Sequence, residues 1–368
     1  MKPNIIHSIV VCLAAFTLPF MVACSSQEES LPDNVTEAAL YLNIATIGQT
    51  RASTAELPDN EKMKSVRVVV LHAADGTVEH NRHFLLEGAQ AQKTILLKVT
   101  PNEKKKIFLF ANEESVSTVK GVTVEDENQT LTTFFNSYTE GMSGFEAAVN
   151  NLYFAPDYSG GKPIPMSSMY EIDFPEKRNF DGTFYVIRVA TKFMVNFMNW
   201  RGEEVIVENF TIANHTDKNF LMAHVNDSEQ NELLFNGKTW IDWLKDYELP
   251  EQADKEKTYT HGRVTVGLPT VDIDNPNNSK PGVAKNIPVF YLPESKSPKA
   301  EATDGEQEYT LTIKINGRDE PFVCKLPNLK ALFRNTHVVV DITMYNSNEI
   351  IVDVIPYSEV NLEPEFGL

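Results

Sequence analysis

The chain has 368 residues, with 33 Lys or Arg against 51 Asp or Glu, which gives a formal net charge of −18 at pH 7. This length predicts about two domains, each able to bury a core. The acidic balance argues against nucleic-acid binding and favours solubility at a crowded surface. Cys12 and Cys24 lie near the N-terminus and leave Cys324 alone, so no disulfide framework is expected within one chain.

Residues 1–23 have the pattern of an export signal. A basic start precedes an apolar run over residues 9–22 that is short for a membrane span. The tetrapeptide Met-Val-Ala-Cys, ending at Cys24, resembles the bacterial lipobox, in which the cysteine carries a diacylglyceryl thioether. We therefore predict a lipoprotein anchored through Cys24, outside the cytoplasm. The alternative is an ordinary cleaved signal in which Cys24 is incidental.

Residues 24–51 are interpreted as a propeptide that carries a removable first strand. In EAALYLNI the apolar residues fall at every second position, which predicts a strand with one buried face. The segment ends at a lone arginine in the loop GQTRASTAEL. A cut between Arg51 and Ala52 would free the strand and leave an empty position in a sheet. The displaced strand would bury Ala38, Leu40, Leu42 and Ile44.

Short strands separated by turn residues follow from Val66. Asp75-Gly76 predicts a hairpin turn. Residues 93–99 and 106–111 are interpreted as a further pair of strands, of which the second is apolar on both faces and therefore central. Residues 130–138 predict a short helix whose aromatic stripe is more typical of a core than of a ligand site.

Three histidines at 72, 80 and 83 raise the question of a metal site. No Cys or carboxylate stands at ligand spacing beside them in the sequence. We therefore interpret this region as a solvated strand face and expect no metal.

A second unit opens with residues 184–197, FYVIRVATKFMVNF, a run so long for one strand that we predict a bend or bulge in it. Residues 205–212 are expected to form the neighbouring strand. Residues 213–285 are the least regular part, with a short helix predicted over residues 240–244. Asn316-Gly317 is the strongest hairpin turn in the chain.

Two alternating strands are predicted near the C-terminus, within residues 336–368. Each can bury one face, so the pair is suited to donate a strand to an exposed sheet edge of another subunit. The alternative is that both strands close their own sheet. The donor residues would be Val338, Val340, Ile342, Met344, Ile350, Val352 and Val354.

Several phrases together resemble the fimbrillin family, the lipoprotein-derived subunits of type V pili in Gram-negative anaerobes. The resemblance runs from about residue 40 to the end and leaves residues 213–285 unmatched. Ser168 and Tyr357 depart from it, since glycine and tryptophan are expected there. The phrases, in order, are VRVVVLHAADGTV, IFLFANEE, PIPMSS, YVIRVATKFMVNF, VFYLPES, RNTHVVVDI and PYSEVNLEPEFGL.

The resemblance implies a mostly all-β fold of two tandem transthyretin-like β-sandwich domains with a few short helices. The expected domains are residues 52–180 and 181–368. It also implies an outer-membrane lipoprotein precursor that an arginine-specific surface protease cuts, followed by assembly into a cell-surface fimbrium that supports adhesion. Arg51 matches the expected cut, whereas Arg67 and Arg82 are poorer matches because they lie in or beside predicted strands. The implied partners are other fimbrial subunits, the protease and a host protein or glycan, with no cofactor.

The alternatives to a pilus shaft subunit are an enzyme, a pilus anchor, a tip adhesin and a stand-alone glycan-binding lipoprotein. The sequence contains no Gly-x-Ser-x-Gly, His-Glu-x-x-His, phosphate-loop or catalytic-cysteine pattern, so we predict no enzyme. An uncleaved pilus anchor would keep its lipid and its first strand. A tip adhesin would need a ligand surface, for which Trp200, Trp240 and Trp243 are the only hints, and these are more typical of a core or domain interface. A stand-alone glycan-binding surface lipoprotein is the alternative outside pili.

Overall fold

The computed structural model describes most of the chain from residue 37 onward. Cys24, Arg51 and Ala52, together with the predicted helix over residues 240–244, lie outside the described residues. No helix in the described part is long and apolar enough to cross a membrane. The described residues are 37–46, 57–121, 129–174, 179–216, 218–223, 257–296, 309–329, 331–345 and 349–355.

The first half of the described chain forms a β-sandwich. Its strands alternate buried and more exposed residues, as expected for strands with one face in a core. Their bounds are β1 Ala38–Thr46, β2 Met63–His72, β3 Val78–Gln90, β4 Gln92–Val99, β5 Glu103–Ala111, the short β6 Tyr153–Phe154, β7 Met166–Phe174 and β8 Phe180–Arg188. One layer has the order β3-β2-β5-β7 and the other has the order β8-β1-β4, and a short β7–β8 pairing joins them.

Local turns and strand composition explain several of these elements. The β2–β3 hairpin turns at Asp75-Gly76 as predicted, and Gly76 has a φ of 70°, a value that favours glycine. Strand β5 is central, between β2 and β7, as its apolar sequence predicts. The predicted pairing of β4 with β5 is wrong: β4 pairs with β1, and β5 pairs with β2 and β7. The reason is that the connection between them crosses from one layer to the other.

Two short helices cover the outer face of β2 and β5. They are α1, Leu131–Asn136, and α2, Phe145–Asn150. The hydroxyl of Thr130 accepts a hydrogen bond of 3.1 Å from the backbone N–H of Thr133 and so caps α1 at its start. The aromatic side chains of both helices pack on Phe108 and Phe110 of β5. The aromatic stripe is therefore core, as predicted.

The second half forms another β-sandwich. The bounds of its strands are β9 Thr191–Asn199, β10 Val205–His215, β11 Asn219–Phe220, β12 Lys257–His261, β13 Val264–Val266, β14 Gly282–Val283, β15 Phe290–Leu292, β16 Ser295–Lys296, β17 Thr310–Ile315, β18 Phe322–Lys325, β19 Ala331–Leu332, β20 His337–Met344 and β21 Ile350–Ile355. One layer is β12-β10-β17-β18, with β13 also on β10. The other is β14-β9-β20-β21, with β15 also on β9. The inward faces of the two layers share one hydrophobic core.

The run over residues 184–197 is not one bent strand. It divides into β8 and β9, which belong to different sandwiches, and the break falls at Val189 and Ala190. Val189 is buried against the helical side of the first sandwich, so the chain cannot continue straight through. The expectation that residues 205–212 pair with this run is also wrong, because β9 and β10 lie in opposite layers. The domain boundary at residue 180 stays a prediction; by its hydrogen bonds β8 lies in the first sandwich.

Candidate strand-exchange site

Strand β1 is the central strand of its layer. It pairs antiparallel with β4, with Leu42 opposite Ile95, and parallel with β8, with Ile44 opposite Phe184. Within the described residues, β4 and β8 make no ladder with each other. Removing β1 would therefore leave both neighbours with unpaired backbone groups along the edges of one gap.

The inward face of β1 is apolar and fully enclosed. Leu40, Leu42 and Ile44 have no solvent exposure, and Ala38 is almost as buried. These side chains lie in the core between the two layers, where they meet the inward faces of β2, β4 and β5. The sequence pattern therefore identified the buried face correctly, although the role of these residues as a displaced strand stays a prediction.

The outward face of β1 carries a polar ladder across its three-stranded layer. The side-chain amide of Asn43 donates to the Asp181 carboxylate of β8 at 2.8 Å. The hydroxyl of Thr94 on β4 donates to the Asn43 amide oxygen at 2.8 Å. These are solvent-facing contacts, so each contributes little to stability, but together they fix the register of β1 between its neighbours.

The two terminal strands occupy different positions. Strand β20 is central in its layer, between β9 and β21, and its inward residues Val338, Val340, Ile342 and Met344 have no solvent exposure. Strand β21 is at the edge and pairs only with β20 among the described strands. Of its inward residues, Val354 is buried, while Ile350 and Val352 are half-buried. Both strands thus close their own sheet in this structure, and β21 contributes fewer fully buried side chains to the core than β20 does.

The surroundings of β1 and β20 are alike. Each strand lies between a parallel neighbour and an antiparallel neighbour, and the two parallel neighbours, β8 and β9, follow each other directly in the chain. The antiparallel neighbours are β4 for β1 and β21 for β20. The two positions therefore have the same arrangement of strand directions.

The arginines on strands are poor protease targets. Arg67 is buried, and its Nε lies 2.6 Å from the carboxylate of Glu113. Arg82 is exposed but lies within β3, which is hydrogen-bonded to β2 along most of its length. Proteases require an extended, accessible segment, so neither position offers the backbone that cleavage needs.

The fold brings carboxylates to two of the histidines, which the sequence spacing did not indicate. His72 lies with Glu79 and Glu103, and His83 lies with Glu113 and Glu114. In the first group the buried ammonium of Lys105 donates to Glu79 at 2.6 Å and also contacts Glu103. A lysine already neutralises these acids, and Arg67 does the same for Glu113. Both groups are therefore explained as ion-pair networks.

A cleft of about 870 Å³ lies where the loop over residues 155–161 meets the second sandwich. Its floor is aromatic: the rings of Tyr259 and Phe290 stack with centroids 3.8 Å apart. Its rim carries the polar side chains of Asp157, Ser159 and Lys257. No local sequence pattern predicts this cleft, because its lining comes from distant segments. Of the tryptophans, Trp200 is half-buried, and Trp240 and Trp243 lie outside the described residues.

No family model and no curated protein sequence matches the chain. Solved structures do match. The tip fimbrial protein Mfa3 from Porphyromonas gingivalis, with a C-terminal truncation, superposes with a TM-score of 0.53 at 12% identity, covering 88% of this chain and 99% of that chain.

Two further solved structures superpose less closely. A fimbrial assembly protein from Parabacteroides distasonis has a TM-score of 0.45 at 11% identity, covering 88% of this chain and 98% of its own. The fimbrial anchor protein Mfa2 from Porphyromonas gingivalis has a TM-score of 0.42 at 9% identity, covering 89% and 99%. The Mfa3 likeness extends over most of this chain and nearly all of that chain. The resemblance to fimbrillins is thereby confirmed at the level of the fold: this chain shares the tandem β-sandwich fold of the solved Mfa3 structure.

Proposed function

We propose that the protein is a structural subunit of a cell-surface fimbrium, assembled by strand exchange after proteolytic removal of β1 at Arg51. In this proposal the precursor is held in the outer membrane by a lipid on Cys24, and an arginine-specific surface protease releases it. The partners are other fimbrial subunits, identical or related, and the assembled fibre supports adhesion. The protein acts by binding and not by catalysis.

The observation that carries the proposal is the central position of β1. A strand at the end of a sheet could be lost with little effect, but the loss of β1 would open an apolar groove between β4 and β8. Removal of β1 would cost the first sandwich roughly 6 kcal/mol of hydrophobic stabilisation, if Leu40, Leu42 and Ile44 each contribute ~2 kcal/mol. Each backbone hydrogen bond that β1 makes to β4 or β8 would add a net ~1 kcal/mol to this loss. A strand from another subunit that enters the groove by β-augmentation would restore both the hydrophobic contacts and the backbone hydrogen bonds.

Strand β21 is the donor that the geometry favours. It lies at the edge of its layer, and Asp353 faces Asp341 directly across the β20–β21 ladder. Like charges placed opposite each other weaken a strand pair. The residues that would enter the groove, Ile350, Val352 and Val354, alternate as the inward residues of β1 do. Strand β20 would stay in place, because its departure would empty the core of its own sandwich.

The direction of the strands is consistent with a head-to-tail fibre. Strand β20 ends beside Asn199, at the end of the second sandwich remote from the β8–β9 connection. A released β21 would project from that end. The groove left by β1 begins at the position of Ala38, at the end of the first sandwich also remote from the connection, because β1 runs parallel to β8. The donor would then run in the direction of β1, and such a contact propagates without closing.

The uncut precursor stays monomeric for a thermodynamic reason. Its own β1 is covalently attached and occupies the groove at a very high effective concentration, so a free strand cannot compete. Cleavage removes this advantage. Once formed, the joint would persist because dissociation requires exposure of the whole groove.

N-terminal sequencing of material purified from the cell surface tests the proposal. A subunit activated by cleavage begins at Ala52. An anchor that keeps its first strand is blocked at lipidated Cys24, and finding only that form would contradict the proposal. A tip adhesin would begin at Ala52 but would occur at the ends of fibres, which immunogold labelling distinguishes from labelling along the shaft.

A second candidate function, glycan binding, is favoured by the aromatic cleft. Stacked rings on the floor of a cleft with polar groups at its rim suit the apolar faces and hydroxyl groups of sugars. Calorimetric titration with a panel of surface oligosaccharides tests this role. Tyr259→Ala should abolish any binding, whereas Tyr345→Ala, which changes an exposed tyrosine beyond the end of β20, should leave it unchanged.

A further inference from the structure

Two arginines lie in adjacent turns of the second sandwich. Arg201 follows β9 in the turn that leads to β10, and Arg318 follows Asn316-Gly317 in the hairpin between β17 and β18. Strands β10 and β17 pair side by side, with Val207 opposite Ile315. The backbone N–H of Asn316 also donates to the carbonyl of Ile206, near the start of β10, at 2.9 Å.

Several N–H donors of these two side chains are unused. Nε and Nη2 of Arg201 and Nη1 of Arg318 have no solvent-accessible surface and no hydrogen-bond acceptor. Within the part of the chain that the structure describes, neither guanidinium forms an ion pair. The backbone of Arg201 is nevertheless held in place, because its N–H donates to the side-chain oxygen of Asn199 at 2.8 Å. The turn at Arg201 is thus held in place, while the side-chain donors have no acceptor.

The unpaired N–H donors belong to two positively charged side chains, which raises the cost of leaving them without an acceptor. Burial lowers the pKa of Arg201, the neighbouring Arg318 guanidinium lowers it further, and the Glu203 carboxylate offsets part of this. An arginine stays protonated in spite of such effects, so two like charges lie in neighbouring turns, with three of their nitrogen atoms lacking an acceptor. Buried donors on charged groups are costly when unpaired. This is unexpected in a chain with a net charge of −18, in which carboxylates are abundant.

We propose that Arg201 and Arg318 together bind an oxyanion. The planar guanidinium presents parallel N–H groups that match the oxygens of a carboxylate, sulfate or phosphate. One bound anion would accept from donors of both side chains and would remove the repulsion between them. The acid group belongs either to a free inorganic ion or to an acidic saccharide. The proposed site uses no residue of β1 or β21, so its test does not depend on strand exchange.

Titration calorimetry and thermal unfolding of the purified protein test the site. The probes are inorganic sulfate, glucuronate and a sulfated disaccharide, each compared with chloride at equal ionic strength. We expect saturable binding of at least one probe and a matching saturable rise in the unfolding midpoint. Arg201→Gln and Arg318→Gln should each weaken that binding by about tenfold or more. The control Arg263→Gln, which changes an exposed arginine between β12 and β13, should bind as the unsubstituted protein does.

The unfolding midpoint in chloride separates binding from a purely structural role. Removing one of two facing charges should leave the midpoint in chloride unchanged or raised in both glutamine variants. A lower midpoint in chloride and in sulfate alike would show that the arginines only support the turns, and it would overturn the proposal. An equal, non-saturating rise in all variants would also overturn it, because exclusion of sulfate from the protein surface has that effect. The probe that binds most tightly distinguishes a free ion from an acidic saccharide.

Discussion

The carboxylate of Glu61 accepts a hydrogen bond of 2.6 Å from the hydroxyl of Tyr291, across 230 residues of chain. The same carboxylate lies 2.7 Å from the ammonium of Lys192 and 3.6 Å from Nε of Arg188. Arg188 also donates to the backbone carbonyl of Glu61 and to the side chain of Asn335. Glu61 therefore ties the segment that precedes β2 to the second sandwich, only ten residues beyond the proposed cleavage site at Arg51.

Replacing Glu61 with glutamine should destabilise the protein. The substitution keeps the shape but leaves Arg188 and Lys192 without their buried counter-charge, which costs on the order of 3 kcal/mol. Chemical denaturation measures the loss. The control is Asp59→Asn, because Asp59 is exposed and its pair with Lys62 at 3.3 Å should contribute no more than about 1 kcal/mol. Equal losses in the two variants would contradict a special role for Glu61.

The same carboxylate predicts a pH dependence. Burial by itself raises the pKa of Glu61, but Arg188, Lys192 and Tyr291 more than offset this, so its pKa lies below the ordinary value of 4.5. The folded state therefore binds this proton less readily than the unfolded state. The contribution of Glu61 is fully present above pH 4.5 and is lost as the pH falls through its lowered pKa. The free energy of unfolding should decrease over this acidic range, and less steeply in Glu61→Gln.

Truncating Leu42 should weaken the uncut precursor. Leu42 has no solvent exposure at the centre of β1, and Leu42→Ala leaves a cavity that should cost about 2–5 kcal/mol. Leu96→Ala on the adjacent β4 is the control, since Leu96 is 54% exposed and should have little effect. Thermal unfolding of both variants in the full precursor provides the comparison. A Leu42→Ala protein as stable as the control would mean that β1 contributes little to the first sandwich.

Blocking the proposed cut should block assembly. Arg51→Ala is expected to remain monomeric after treatment with an arginine-specific protease, whereas the unsubstituted protein forms ladders on non-denaturing gels. Arg82→Ala, at an exposed arginine held within β3, should form ladders normally. Undiminished ladders from Arg51→Ala would exclude this residue as the trigger.

Fixing β21 to β20 should also block assembly, without affecting cleavage. Asp341 and Asp353 are direct partners, so cysteines at both positions can form a cross-strand disulfide. In a Cys324→Ser background, the oxidised protein should be cut but remain monomeric, and reduction should restore ladders.

The matched control for this disulfide joins Thr310 and Lys325, which are partners on β17 and β18. This disulfide fixes a different edge strand, β18, so the variant should assemble in both redox states. Ladders from the oxidised β20–β21 variant would show that the donor is not β21.

Much of this fold follows from local patterns in the sequence. The alternation in EAALYLNI placed Leu40, Leu42 and Ile44 on one buried face, and the hairpin turns at Asp75-Gly76 and Asn316-Gly317 occur where the sequence predicts them. These features depend on residues close together in the chain: side-chain direction alternates along a strand, and glycine permits the left-handed turn conformation. The buried face of a strand is thus readable from sequence alone.

The partner of each strand was decided only by the tertiary structure. The same alternating pattern suits an edge or a central strand, so it could not place β1 between β4 and β8, or β20 at the centre of its own layer. Nor could it divide residues 184–197 between two sandwiches, because that break depends on the burial of Val189 among distant side chains. The contacts of Glu61 and the pairing of the Arg201 and Arg318 turns are likewise long-range. Strand pairs and buried ion pairs join residues that are far apart in the chain. A local sequence pattern therefore does not identify the distant partner.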